Sequence, residues 1–282
     1  MFNVIYCYDH IIKTNINMAK LNGPFDFTGR LGDVVAYKLP GSDTTHLRTV
    51  GSVSNAKRKR LPSFDLVNRN CQEFGGRSTA GRWIRQAMKG QTALRTYSFV
   101  SRINGYLKPL QEMDTVHPLG QRSVLFSASP QLLNNYDLMQ AKRFDAVIRN
   151  PVDFNIVKKL LSATIRVPAL LPGINFLPPE GNGLFQVVAS LGLLPDLHYN
   201  GDKYAPLDDF DKNSVPVAAE TAWRRVATGT AAASLQLVIP AAVPSIPFVL
   251  LLSVGIRFGN MVAPDNIIAS KTMGAAKILS AV

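Results

Sequence analysis

Cysteine is almost missing from this chain: Cys7 and Cys71 are the only two in 282 residues. Two thiols exclude a disulfide framework and a four-cysteine zinc site, and both read as incidental. That usage suits a cytosolic or assembly-bound setting. Histidine is nearly as scarce. His10, His46, His117 and His198 stand far apart, with no Cys or carboxylate at ligand spacing. Each reads as a packing or surface residue, so neither a metal nor another cofactor is expected. Nucleophile elbows (G-x-S-x-G), H-E-x-x-H and a complete G-x-G-x-x-G are also missing, which removes the common routes to an enzyme. The N-terminus has no basic leader, and Asp9, His10 and Lys13 interrupt its apolar stretch. It therefore does not read as a signal peptide. Met18 looks the more natural start, with residues 1–17 an extension outside the core.

The most informative shortage is of acids. Between Arg48 and Lys108 there are thirteen Lys and Arg residues against Asp65 and Glu73 alone. This stretch thus holds +11 of the net +12, and the remaining residues are close to neutral. So local an imbalance marks one surface that meets an acidic or polyanionic partner. Ordinary i,i+4 pairing needs both signs and cannot explain it. The expected contact residues are Lys57, Arg58, Lys59, Arg60, Arg69, Arg77, Arg82, Arg85 and Lys89.

Charge of either sign is lacking from 226 to 256, a run long enough to cross a bilayer. Pro240, Pro244 and Pro247 argue against a membrane helix. SLQLVIP and FVLLLSVGIRF are expected as two buried strands joined by a Pro-rich turn.

What is present reads as α+β: an N-terminal β-hairpin and a small basic helical segment (18–118), followed by an antiparallel β-sandwich (119–282). The hairpin is GDVVAYKL and TTHLRTVG around Pro40-Gly41, the chemistry of a type II turn. A first helix is expected from Ser63, with Phe64, Val67, Cys71 and Phe74 inward, stopping at Gly75-Gly76. A second follows Ser78 or Thr79, burying Ala80, Trp83, Ile84, Ala87 and Met88. A third covers 92–104. In the sandwich the expected strands are SVLFSAS, FDAVIR, SATIRVPAL, LFQVVASLGLL, SLQLVIP, FVLLLSVGIRF and AAKILSAV.

Two near-motifs are read down. Gly76 to Trp83 has P-loop glycine spacing, but Arg82 replaces Lys and Trp83 replaces Ser/Thr, so a helix–helix turn is expected. Asp209, Asp211, Asn213 and Glu220 match EF-hand positions, but Ser214 replaces the turn glycine; an acidic surface loop is expected.

FDFTGRLGDVVAYKLPGSDTTHLRT, the basic connector and EFGGRSTAGRWIR resemble the N-terminal half of an uncharacterised family of bacterial proteins seen mainly in Bacteroidota. VPALLPGINFLPPEGNGLFQVVASL, LLLSVGIRFG and the final KILSAV are similar to its C-terminal half. The resemblance runs from Met18 over nearly the whole chain, and this chain departs from the family in its long uncharged 226–256 stretch. It implies a non-secreted protein of this organisation, in the cytoplasm or an assembled particle, and supplies no active site. The function expected is a non-enzymatic structural protein, a homo-oligomer or one bound to an acidic protein, with the membrane not a partner. The alternative is sequence-independent nucleic-acid binding through the same basic segment.

Overall fold

The computed structural model describes residues 18–21, 27–39, 42–50, 53–94, 99–139, 142–207, 210, 215–263 and 266–282. The chain divides into two compact units, Met1–Asp65 and Leu66–Val282.

In the first unit β1 (Met18–Leu21), β2 (Gly29–Leu31), β3 (Val34–Lys38) and β4 (Thr45–Thr49) form an antiparallel sheet of order β1-β4-β3-β2. The expected hairpin is β3–β4, with Ala36 opposite Leu47 and Tyr37 opposite His46. The Tyr37 and His46 rings stack at 5.7 Å between centroids. The Pro40-Gly41 turn lies outside the described residues. Helix α1 (Asn55–Arg60) follows, its first turn capped by Ser54, whose hydroxyl accepts from the Lys57 amide.

Helix α2 (Asp65–Ala87) is continuous. The stop expected at Gly75-Gly76 does not occur, because Gly76 serves close packing: a Cβ there would sit 2.8 Å from the Tyr204 ring. The buried side of α2 carries Glu73, Gly76, Ala80, Trp83, Ile84 and Ala87. Val67, Cys71 and Phe74, expected inward, are exposed instead. After a 3-10 segment at Lys89–Leu94 come α3 (Phe99–Tyr106) and α4 (Lys108–Glu112) in place of one helix over 92–104. SVLFSAS is a single bridge at Val124 and a 3-10 turn, held because Asp196 accepts from the Ser127 amide. FDAVIR folds as α5 (Phe144–Val147) because Asp137 caps the Phe144 amide and Phe144 and Ile148 bury together at helical spacing.

The remaining strands are β5 (Asp153–Val157), β6 (Ser162–Val167), β7 (Leu184–Pro195), β8 (His198–Tyr199), β9 (Tyr204–Ala205), β10 (Val217–Glu220), β11 (Arg224–Arg225), β12 (Ala233–Val238), β13 (Phe248–Ala263) and β14 (Asn266–Ala281). One antiparallel sheet has the order β10-β7-β13-β14, with β11 also on β7; a second has the order β12-β6-β5. β6 and β12 alternate, turning Ala163, Ile165, Val167, Leu235 and Leu237 into the core. β7 is buried along its entire length, which explains why its sequence is apolar but for Gln186 and Ser190: the second sheet covers one face and helical segments the other. On that helical side small residues allow close approach. A Cβ on Gly192 would lie 2.5 Å from Ala87, and one on Gly255 2.8 Å from Leu94. Gln91, fully buried, donates to the carbonyls of Val188 and Ser253 and accepts from the Ser253 hydroxyl.

These packing interactions place the helices from Leu66 onward in one compact unit with the β half. The uncharged 226–256 run forms β12 and the start of β13, as strands. Among the described residues no helix is long and apolar enough to cross a membrane.

Candidate functional site

The nine basic residues fall into both units. In the first, Lys57, Arg58, Lys59 and Arg60 form the last turn of α1, where cations favour the carbonyl end of a helix. Lys57, Lys59 and Arg60 are exposed and Arg58 is half-buried.

In the second unit Arg69, Arg82 and Lys89 are exposed. At about 100° per residue, Arg69 and Arg82 stand roughly 140° apart around α2, so they do not share one stripe. Lys89 lies past the end of α2, in the 3-10 segment. Arg85 is half-buried, its Nε donating to the Gly81 carbonyl at 3.3 Å.

Arg77 has a different environment. Its side chain is 13% exposed, 3.9 Å from Glu73 Oε2, and donates to Gln111 Oε1 at 2.8 Å. Glu73 is buried and takes Arg122 in a two-point ion pair, 2.5 Å to Oε1 and 2.7 Å to Oε2. The Gly120 amide donates to the same carboxylate. Burial works to raise the Glu73 pKa, but Arg122, Gly120 and Arg77 outweigh it and hold the carboxyl below its usual range. Gln111 donates to the Arg122 carbonyl, and Tyr204 donates to the Gly120 carbonyl. Burial, reinforced by the Glu73 charge, pushes the Tyr204 phenol up to about 12. This network ties α2, α4, the turn before Val124 and β9 together, and Arg77 is committed to it.

Beside it, buried Asp114 accepts from the amides of Val116, His117 and Ser123 and lies 2.7 Å from His117 Nδ1. Burial would raise its pKa; these bonds bring it down to about 2. Ser123 Oγ meets His198 Nδ1 at 3.2 Å. Serine, histidine and aspartate thus meet here, but Asp114 holds His117, not the histidine beside the serine, so the order a nucleophilic triad requires is not made.

The P-loop-like glycines sit inside α2, where Thr79 donates to the Gly75 carbonyl and Ser78 accepts from Asn104. That placement rules out both a phosphate loop and the expected helix–helix turn. Asp209, Asp211, Asn213 and Ser214 lie outside the described residues, and Glu220 pairs with Arg257 at 2.5 Å. Among the described residues no three His, Cys, Asp or Glu side chains gather as a metal site.

A feature that sequence patterning did not single out lies at the far end of β13 and β14. Pairing of β13 with β7 ends at Gly259 opposite Leu184, while β13 and β14 continue together to Ala263 opposite Asn266. Asn260 still anchors this end, accepting from the Gly183 amide and donating to the Gly181 carbonyl. Ile268, opposite Asn260, is 58% exposed, and beyond it Met261 and Val262 are 61 and 59% exposed. The signal that could have found it was the short apolar runs Met261-Val262-Ala263 and Ile267-Ile268-Ala269 on both sides of Pro264-Asp265.

Fold and surface define an α+β protein with a basic helical segment, a two-sheet β half and a projecting apolar arm. No family model, curated protein or solved structure matches this chain.

Proposed function

We propose that this is a non-enzymatic structural protein that associates with copies of itself and presents basic side chains to an acidic partner, in the cytoplasm or within an assembled particle. The observation that carries this reading is the two-stranded arm with three large apolar side chains more than half exposed. A lone pair of strands is marginally stable in water, and unpaired apolar edges are templates for further pairing. Light scattering coupled to size exclusion, over a range of concentration and salt, tests it. A mass above 30.8 kDa that rises with concentration supports the reading; 30.8 kDa at every concentration refutes it.

The second reading is sequence-independent nucleic-acid binding. It is favoured by Lys57, Lys59 and Arg60, exposed together in the last turn of an α1 whose first turn has no acid. The ratio of absorbance at 260 and 280 nm in the same low-salt run separates the two: bound nucleic acid raises it.

A further inference from the structure

We infer that two copies of this chain also join edge to edge through β5, in antiparallel register about a two-fold axis at Asn155. This rests on the self-association proposed above and gives it a second surface, in a different sheet from the arm.

β5 ends the β12-β6-β5 sheet, and among the described residues no strand and no further backbone hydrogen bond lies on its outer edge. Backbone groups of alternate residues point to that edge, a row of donors and acceptors open to another strand. Asp153, Phe154, Asn155 and Val157 are exposed, and only Ile156 is half-buried. Phe154 and Ile156 pair with Ile165 and Ala163, so they share the face that β6 turns into the core. Phe154 is nevertheless 43% exposed. The apolar face of this sheet thus runs on past the point where the chain covers it. A hollow of about 320 Å³ lies against the strand, lined by Phe154 with Asp153, Asn155, Thr164 and Arg166.

A second copy is the occupant that the strand itself selects. β5 has five residues centred on Asn155. In an antiparallel pair about that centre Asn155 meets Asn155, while Phe154 meets Ile156 and Asp153 meets Val157, each twice. On the core-facing side the row Ile165-Phe154 continues into Ile156-Ala163 of the second copy, apolar throughout. On the outer side Thr164-Asn155 continues into Asn155-Thr164, polar throughout. A two-fold contact must be complementary to itself, and this strand is so on both faces. Charge selects the direction. The strand starts at the acid Asp153 and is followed by Lys158 and Lys159. Antiparallel pairing brings the acidic end of each copy beside the basic end of the other, whereas parallel pairing would oppose Asp153 to Asp153. A slip of one residue would put apolar side chains on the polar face. A slip of two would set Phe154 against Lys158, or Val157 against Pro151, which has no amide proton. The result is one sheet across the two molecules, β12-β6-β5-β5-β6-β12, with the open edge paired and Phe154 covered. So short a seam is weak and reversible. With the arm as a separate contact, it lets copies link beyond pairs.

The test uses the full chain with Cys7→Ser and Cys71→Ser as background, its association measured by sedimentation velocity. Asn155→Cys places two thiols across the axis, where directly opposed Cβ atoms lie about 4.5–5.5 Å apart. It forms a covalent dimer on mild oxidation, whereas Thr164→Cys, on the same face of the inner strand, does not. Independently, Phe154→Lys removes an apolar pair that is made twice and weakens association by about tenfold. Lys159→Asp sets acid beside acid at both ends of the seam and weakens it by about threefold. Urea midpoints show whether these two variants keep the parent's stability; if Phe154→Lys does not, the cross-link and Lys159→Asp decide. If the parent associates but Asn155→Cys does not cross-link and neither charge variant weakens association, the β5 seam is refuted while self-association stands. If the parent is monomeric at every concentration, the seam falls together with the function proposed above.

Discussion

At the scale of single residues, polar groups buried beneath α2 fasten the helical segment together. Asp114 has the strongest consequence, because its carboxyl is held at about 2 by three amides and His117. A folded-state pKa below the unfolded value near 3.8 means that its stabilisation is fully present above that value. It is lost as pH falls toward about 2. Asp114→Asn is expected to cost on the order of 2 kcal/mol at neutral pH and to flatten the loss of stability between those two values. Urea titrations at a series of pH values measure both. Glu73→Gln leaves Arg122 and Arg77 without their counter-charge in a buried site, at a cost of about 3–5 kcal/mol. An unchanged urea midpoint would mean that Glu73 is not the hub of that network.

At the scale of elements, the continuity of α2 is directly testable at its two adjacent glycines. A side chain at Gly75 would meet nothing within 4 Å, whereas one at Gly76 would press into Tyr204. Gly75→Ala is expected to stabilise by up to about 1 kcal/mol, as in any exposed helix interior. Gly76→Ala is expected to destabilise by about 1–3 kcal/mol through overpacking. If Gly75 instead ended a helix, Ala would be unfavourable there. Denaturation midpoints of the two variants decide the matter. This pair also shows where the sequence was legible. β6, β7, β12, β13 and β14 were readable because apolar runs between Pro and Gly clusters have few other solutions. α2 was misread because a glycine pair looks the same whether it ends a helix or admits a neighbouring ring. Its buried side was misassigned because that side carries charged Glu73, while the apolar Val67 and Phe74 point outward. The charge excess of the candidate site was plain from composition. The engagement of Arg77 was not, since Gln111 is brought to it, and Arg122 to its neighbour Glu73, only by folding.

At the scale of the whole molecule, the basic segment and the arm make separable predictions. Replacing Lys57, Arg58, Lys59 and Arg60 with Gln is expected to change stability by no more than about 1 kcal/mol per exposed charge. If the segment meets phosphate, the same variant weakens binding to every duplex alike. The slope of log K against log salt then becomes shallower, by up to about 0.9 for each phosphate that is no longer neutralised. Fluorescence titrations with duplexes of unrelated sequence read both quantities. Equal affinities and slopes for variant and wild type would remove 57–60 from the binding surface.

The central claim is that copies meet at the apolar arm, and amide hydrogen exchange followed over a range of protein concentrations tests it most directly. The account predicts that exchange in residues 266–270 slows as concentration rises, while β7, buried within each molecule, keeps the same protection throughout. Exchange in 266–270 that is independent of concentration, in a sample whose mass does increase, would contradict it.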